Sequence, residues 1–301
     1  WVQNLSPAHD RRYLESIFRK LERREDVSPS RWSAYGGPYA REAVFKAAIG
    51  TSELASAVAA GEIDNGFAVV RPPGHHAGFA SAEGYCCVNN VALAARNVVQ
   101  RFGRKVLILD LDVHHGNGTE EIVFEDPEIS YLSIHQDDWP FTGSFLRTGK
   151  GTGSGGSFNL PLPVAADGRS WLKAFDKFVI PIVENLKPYM ILVSMGYDTH
   201  WRDPQGSMLL SSGDQLELTA KVRSLAKNFC EGRLVFVLEG GYDRRATASG
   251  VLNSLADLAG SEAKLIFDAY GVAPQLSSEE NRRVSLKVDE SIAKSLAAYG
   301  F

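Results

Sequence analysis

The sequence predicts a single α/β domain over residues 1–301: a doubly wound, mostly parallel sheet with helices on both faces. Two observations predict it. Short runs rich in β-branched residues and apolar throughout recur along the chain, as expected of strands buried on both faces. Between them lie segments with apolar residues at three- and four-residue spacing, the period of helices packed on such a sheet. In chain order, residues 8–21 and 38–59 read as helices, 67–70 as a strand and 88–100 as a helix. Strands follow at 106–109 and 129–134, then a helix at 170–186 and a strand at 190–193. A helix at 214–229, a strand at 234–238 and helices at 246–258 and 288–296 complete the pattern. The glycine- and serine-rich stretch 149–157 reads as a surface loop, because strand-like runs of the same style lie on both sides of it.

Composition narrows the function. A chain with 44% hydrophobic and 23% charged residues is not wholly disordered. No apolar run reaches the roughly 18–20 residues of a membrane helix, so no membrane role is expected. A formal charge of −4 lacks the footprint of a nucleic-acid binder. Three cysteines, two of them adjacent, cannot make a disulfide framework; this fits a reducing compartment such as the cytoplasm rather than secretion. A homo-oligomer is left open.

The unusual polar clusters follow strand ends. The run at 67–70 leads into Arg71-Pro-Pro-Gly-His75-His76, and that at 106–109 into Asp110-Leu-Asp112-Val-His114-His115-Gly-Asn117. The run at 190–193 leads to Gly196-Tyr-Asp198, and that at 234–238 to Glu239-Gly-Gly-Tyr242. In a parallel sheet these ends share one edge, where ligands bind, so four clusters distant in sequence converge. Asp112 and His114 alternate and project to one face while the chain is extended. With Asp198 they form a mixed oxygen and nitrogen set suited to a divalent metal, with a coordination position left open. Asp110, nearest the core, reads equally as part of that site or as a buried tie for loop backbone. His75 and His76, fixed by the preceding prolines, suit acid/base work. Asp110 and Asn117 can each accept an imidazole N–H. Tyr242, in a glycine turn, can aim its phenol at a developing oxyanion. His9, His135 and His200 read as structural.

The strings RPPGHHA (71–77), GYCCVNN (84–90), DLDVHHGNGTE (110–120), GYDTHWRDPQG (196–206) and LEGGYD (238–243) resemble the zinc-dependent histone deacetylase and acetylpolyamine amidohydrolase superfamily. Asn117 in the HHGNG string is similar to the class II branch. The resemblance implies an arginase/deacetylase-like fold and one catalytic zinc held by Asp112, His114 and Asp198. It implies His75 paired with Asp110, His76 as general base and acid with Asn117 as its partner, and Tyr242 as the catalytic tyrosine. Gly84 and Tyr85 match the acyl-lysine tunnel, with Trp139 or Phe141 as the opposite wall. A structural potassium near Asp110, Asp112, His114 and Ser133 is implied as well.

The implied substrates are acetyl-lysine peptides or proteins, or acetylated polyamines and small amines. Gln205 stands where the family discriminates them and is neither acidic nor apolar. Loop 33–39, where relatives grip the substrate backbone, shows no aspartate. The family's amino-terminal strand and helix, with their His-Pro-Glu-Arg-type segment, are expected to be missing. Two other functions compete: an inactive acyl-lysine-binding relative, disfavoured by the full residue set, and a binuclear manganese ureohydrolase, which needs more bridging aspartates.

Overall fold

A computed structural model of the chain describes residues 1–27, 36–261, 264 and 266–301. Loop residues 33–35, part of the segment noted for its missing aspartate, lie outside them.

The apolar runs form strands β1 (Asn65–Ala68), β2 (Val106–Asp110), β3 (Ile129–Gln136), β5 (Met190–Met195) and β6 (Leu234–Leu238). A further strand, β4 (Ser157–Leu162), follows the glycine-rich stretch without a break in the sheet, so that stretch is a loop within one sheet. β4 is not among the runs expected from the sequence, and its Pro161 cannot donate to a ladder. At an edge that loss is tolerated, and β4 is an edge strand in the order β1-β6-β5-β2-β3-β4. Every neighbouring pair is parallel.

Alternate residues of each strand supply opposite cores. Leu107, Leu109, Ile191, Val193 and Phe236 join one cluster, while Val106, Ile108, Leu192, Val235 and Val237 join the other. Helices α3 (Ala40–Ala59), α4 (Asn90–Phe102) and α5 (Asn117–Val123) lie on the second side. On the first side lie α6 (Gly168–Ala174), α7 (Ile180–Leu186), α8 (Ser212–Phe229), α9 (Arg244–Leu258) and α10 (Ser278–Tyr299). The short α1 (Val2–Leu5) and α2 (Arg11–Glu22) pack Leu5, Leu14 and Phe18 against Val44 and Ala48 of α3. No helix among the described residues is long and apolar enough to cross a membrane.

Two local outcomes differ from the helical periodicity. The single helix read at 170–186 is interrupted between α6 and α7 by a π-turn, Phe175–Val179. Pro181 has no N–H for the preceding turn and would clash with its carbonyl, so the ladder shifts by one residue there. The helix α5 begins inside a string read only as site residues.

The topology positions the site. From β2 the chain winds outward through β3 to β4, then crosses back to β5 and winds the other way to β6. The reversal opens a crevice between the carboxyl ends of β2 and β5, where ligands bind in this architecture. Tyr197, at the β5 end, anchors the crevice to α9. Its ring is fully buried, its hydroxyl donates to Ser254 Oγ at 2.8 Å, and Gly250 leaves room for its face.

A Cβ at Gly250 would overlap the Tyr197 ring. The Gly250→Ala variant gains up to about 1 kcal/mol of helix propensity, but overpacking costs more. A net loss of about 1–3 kcal/mol is expected, read by urea unfolding; an unchanged midpoint refutes the packing role.

Candidate active site

Asp112, His114 and Asp198 leave β2 and β5 as the chain turns, and their donor atoms lie within 4.8 Å of one another. Backbone amides hold the carboxylates in place. Gly240 N–H donates to Asp112 Oδ2 at 2.8 Å, His114 N–H to Asp112 Oδ1 at 2.9 Å, and Val113 N–H to Asp198 Oδ1 at 3.0 Å. Gly196 and Gly240 allow this approach, since a Cβ on either would overlap a carboxylate. Asp198 Oδ2 is buried without a hydrogen-bond partner, 3.4 Å from His114 Nδ1. An orphaned carboxylate oxygen facing an imidazole nitrogen and a second carboxylate is a donor set that fits a divalent metal, and three protein donors suit a zinc site of catalytic type. Among the described residues it is the one such cluster.

His75 and His76 sit beside it, their rings 4.0 Å apart. His75 Nδ1 bonds Asp110 Oδ2 at 3.2 Å, and Asp110 also accepts from Tyr131 O–H and the Asp112 amide. Asp110 is thus a buried tie for loop backbone and the partner of His75, and it stands outside the Asp112, His114 and Asp198 donor cluster. His76 Nδ1 bonds Asn117 Oδ1 at 2.7 Å. The two imidazoles diverge electrostatically. Burial disfavours charge on His75, but the Asp112 and Asp110 carboxylates overcome it and push the ring up to about 10. Burial also disfavours charge on His76, and there His75 and His114 add to the effect, holding it well below the usual imidazole range. The carboxylates thus favour the charged form of one ring, while burial and the neighbouring imidazoles favour the neutral form of the other. Burial, then Asp198 and Asp112, push the Tyr242 phenol far above its ordinary value, so it stays a donor.

A cavity of about 300 Å³ opens over these groups, lined by His76, Gly84, Tyr85, His114, Trp139, Pro204, Gln205 and Tyr242. Trp139 stands edge-on to His76 and His114, at 4.8 and 5.5 Å between ring centres. The Tyr85 ring lies 5.8 Å from that of Tyr242, and its hydroxyl accepts from Gln205 Nε2 at 3.3 Å. Phe141, the other candidate for the aromatic wall, lies outside this lining and is 82% exposed. His9 uses both ring nitrogens, toward Gly78 C=O and the Asn89 amide, as a structural residue does.

Sequence reasoning assigned no role to two positioning carboxylates. Glu239 accepts from the Gly74 and His75 amides at 2.7 and 3.1 Å and from Ser194 Oγ at 2.9 Å, tying the histidine loop to β5 and β6. Asp203 accepts from the Tyr242 and Asp243 amides at 2.6 and 3.0 Å and so sets the tyrosine turn. A signal for Glu239 was available: a charge placed directly after the wholly apolar β6.

A family model described as "Histone deacetylase domain" matches residues 2–258. The chain is 36% identical over 273 residues to "Histone deacetylase 14, chloroplastic" of Arabidopsis thaliana, covering 87% of this chain and 64% of that one. It is 34% identical over 301 residues to "Histone deacetylase 10, chloroplastic" of Oryza sativa subsp. japonica, covering 96% and 68%. The chain therefore spans about two thirds of the length of these relatives. Among solved structures, "Crystal Structure of HDA15 HD domain" superposes with a TM-score of 0.84 at 28% identity, over 99% of this chain and 78% of that one.

Protons compete with metal at this site. Burial and the neighbouring Asp112 push Asp198 up to about 7; burial opposes charge on His114, but Asp112 and Asp198 push it up to about 10. Both groups must shed protons to bind metal, so zinc affinity weakens as pH falls, by about tenfold or more between about pH 8 and about pH 6. Calorimetry with a competing chelator measures this, and a pH-independent affinity contradicts it. Asp198→Ala is expected to abolish zinc retention in elemental analysis; a zinc-replete variant would exclude Asp198 as a ligand.

Proposed function

We propose that this chain, which belongs to the histone deacetylase domain family, hydrolyses the amide of N-acetyl-lysine side chains or of small acetylated amines, yielding acetate and free amine. The observation that carries this is the convergence of Asp112, His114 and Asp198 with His76 and Tyr242 around one aromatic-walled cavity. A divalent metal held by the first three, zinc by the resemblance, supplies Lewis-acid polarisation of the amide carbonyl and of water.

The chain's own groups do the rest. Tyr85 and Trp139 flank the apolar stem of the substrate and exclude water. His76 is neutral and takes a proton from the attacking water, then returns one to the leaving nitrogen. The Tyr242 hydroxyl donates to the oxyanion of the tetrahedral intermediate. His75, held by Asp110, lies against His76 and beside the Asp112 carboxylate and so fixes the geometry of this side of the site. The structural potassium remains part of this proposal, resting on the resemblance; counting it by elemental analysis tests it.

Acetyl-lysine is the substrate class proposed first. Gln205 favours keeping acetylated polyamines as the second, because its amide lies in the cavity wall and adds no repulsive charge toward a cationic amine.

Acetate release from an acetyl-lysine peptide and from N8-acetylspermidine, measured side by side with zinc-loaded protein, tests both classes. Tyr242→Phe is expected to lower kcat about 100- to 1000-fold, and undiminished turnover would remove Tyr242 from the mechanism. The Gln205→Glu variant is expected to shift the ratio of kcat/KM values toward acetylspermidine, by bringing a carboxylate to the cavity wall. An unchanged ratio would show that Gln205 does not select substrate.

A further inference from the structure

His76 can act as a base only if its unprotonated ring nitrogen faces the reaction, and the structure traces that orientation two residues outward. His76 Nδ1 lies 2.7 Å from Asn117 Oδ1. An asparagine can offer either end of its amide, so by itself it does not choose the imidazole tautomer. With its carbonyl toward His76, the proton sits on Nδ1 and leaves Nε2 free to accept; with its NH2 toward His76, the reverse holds. The other end of this amide is committed. Asn117 Nδ2 donates to Glu83 Oε2 at 3.0 Å, and a carboxylate only accepts. Flipping Asn117 would set its carbonyl oxygen against the Glu83 carboxylate oxygen.

Glu83 is itself held by the turn that builds the cavity wall. The Cys86 amide donates to the Glu83 carbonyl at 2.8 Å, and the two residues pair as an antiparallel bridge. The intervening Gly84 and Tyr85 have φ of 52° and 65°, the sign that a type I′ turn requires at both central positions. The Gly84 backbone approaches the His76 ring so closely that any Cβ would overlap it. The turn therefore places Tyr85 in the cavity wall, Gly84 against His76 and Glu83 behind Asn117.

We propose that Glu83 is a positioning residue for the proposed hydrolysis, fixing the Asn117 amide so that His76 carries its proton on Nδ1 and presents Nε2 as the base. This rests on the deacetylase reading for its catalytic consequence, but the tautomer is a property of the folded chain that can be read without turnover.

The test uses the full zinc-loaded chain, with nitrogen-15 shifts of the His76 ring as the readout besides activity. In the parent protein the bare nitrogen is Nε2. Glu83→Ala is expected to mix the tautomers and lower kcat about 10- to 100-fold with little change in KM. In Glu83→Lys, an ammonium that only donates turns the Asn117 carbonyl outward and moves the His76 proton to Nε2. Glu83→Gln can still present a carbonyl to Asn117 and restores the parent tautomer. An Asn117→Asp background supplies the decisive comparison. A carboxylate has no donor end for Glu83 to orient, and two carboxylates then face one another, so Glu83→Ala becomes neutral or beneficial there. An unchanged tautomer in both Glu83→Ala and Glu83→Lys overturns the proposal. So does an equal loss from Glu83→Ala in both backgrounds, which would mark a role in the cavity wall alone. Should no acetylated substrate be turned over, the ring shifts still decide the relay, and only the deacetylase reading fails.

Discussion

Asp110, Asp112 and Asp198 are each fully buried, and Asp112 and Asp198 aim oxygens into one small space. Placing carboxylates that close together in a protein interior costs several kcal/mol per ion unless each is matched by hydrogen bonds and opposite charge. Much of the surrounding architecture supplies that match. Backbone amides of Val113, His114 and Gly240 point inward, the His75 ring faces Asp110 and Asp112, and Gly196 and Gly240 lack the Cβ atoms that would block the approach. What the protein leaves unmatched is Asp198 Oδ2, and that remaining demand is what a divalent cation satisfies.

The same constraint explains why the site lies where the sheet reverses direction. Amides and carbonyls inside the sheet are consumed by the parallel ladders, so they cannot solvate a buried carboxylate. Past the last ladder bond of β2 and β5 the backbone is free to turn its N–H groups toward the side chains. Since the connections from these strands lead to opposite sides, the helices that follow them, α5 and α8, leave the gap between them open. Glu239 extends the arrangement outward: buried and accepting two loop amides, it ties the histidine loop to the far side of the crevice.

Two neighbouring histidines with opposite electrostatic character show how little separation such a site needs. His75 and His76 are adjacent in sequence with rings 4.0 Å apart, yet carboxylates face the first while an amide faces the second. A carboxamide partner supplies a hydrogen bond without a charge, so burial, with His75 and His114 adding to it, holds His76 well below the usual imidazole range. The aromatic walls add to this by excluding the water that would otherwise screen the difference.

The strand ends and the chemistry they carry were legible in the sequence because they depend on local information. The runs at β2, β5 and β6 are apolar on both faces, Asp112 and His114 alternate with the strand period, and the glycines beside Asp198 and Tyr242 mark close backbone approach. What could not be read was whatever depends on which segments meet. The edge strand β4 hides behind Pro161, which is tolerated only because no partner lies beyond it. The π-turn before α7 follows from fitting one helix over an interior proline. Trp139 rather than Phe141 faces the cavity because the chain turns between them, with Phe141 at φ 62°. Asp203 and Glu239 accept from amides 39 and 165 residues away in the chain, and Glu83 meets Asn117 across 34. Sequence alone therefore determined which side chains can bind metal and move protons, since their chemistry is intrinsic. Only the tertiary structure decided which carboxylate holds which loop and which amide faces which histidine, because hydrogen bonds between distant segments exist only once the sheet has brought its carboxyl ends together.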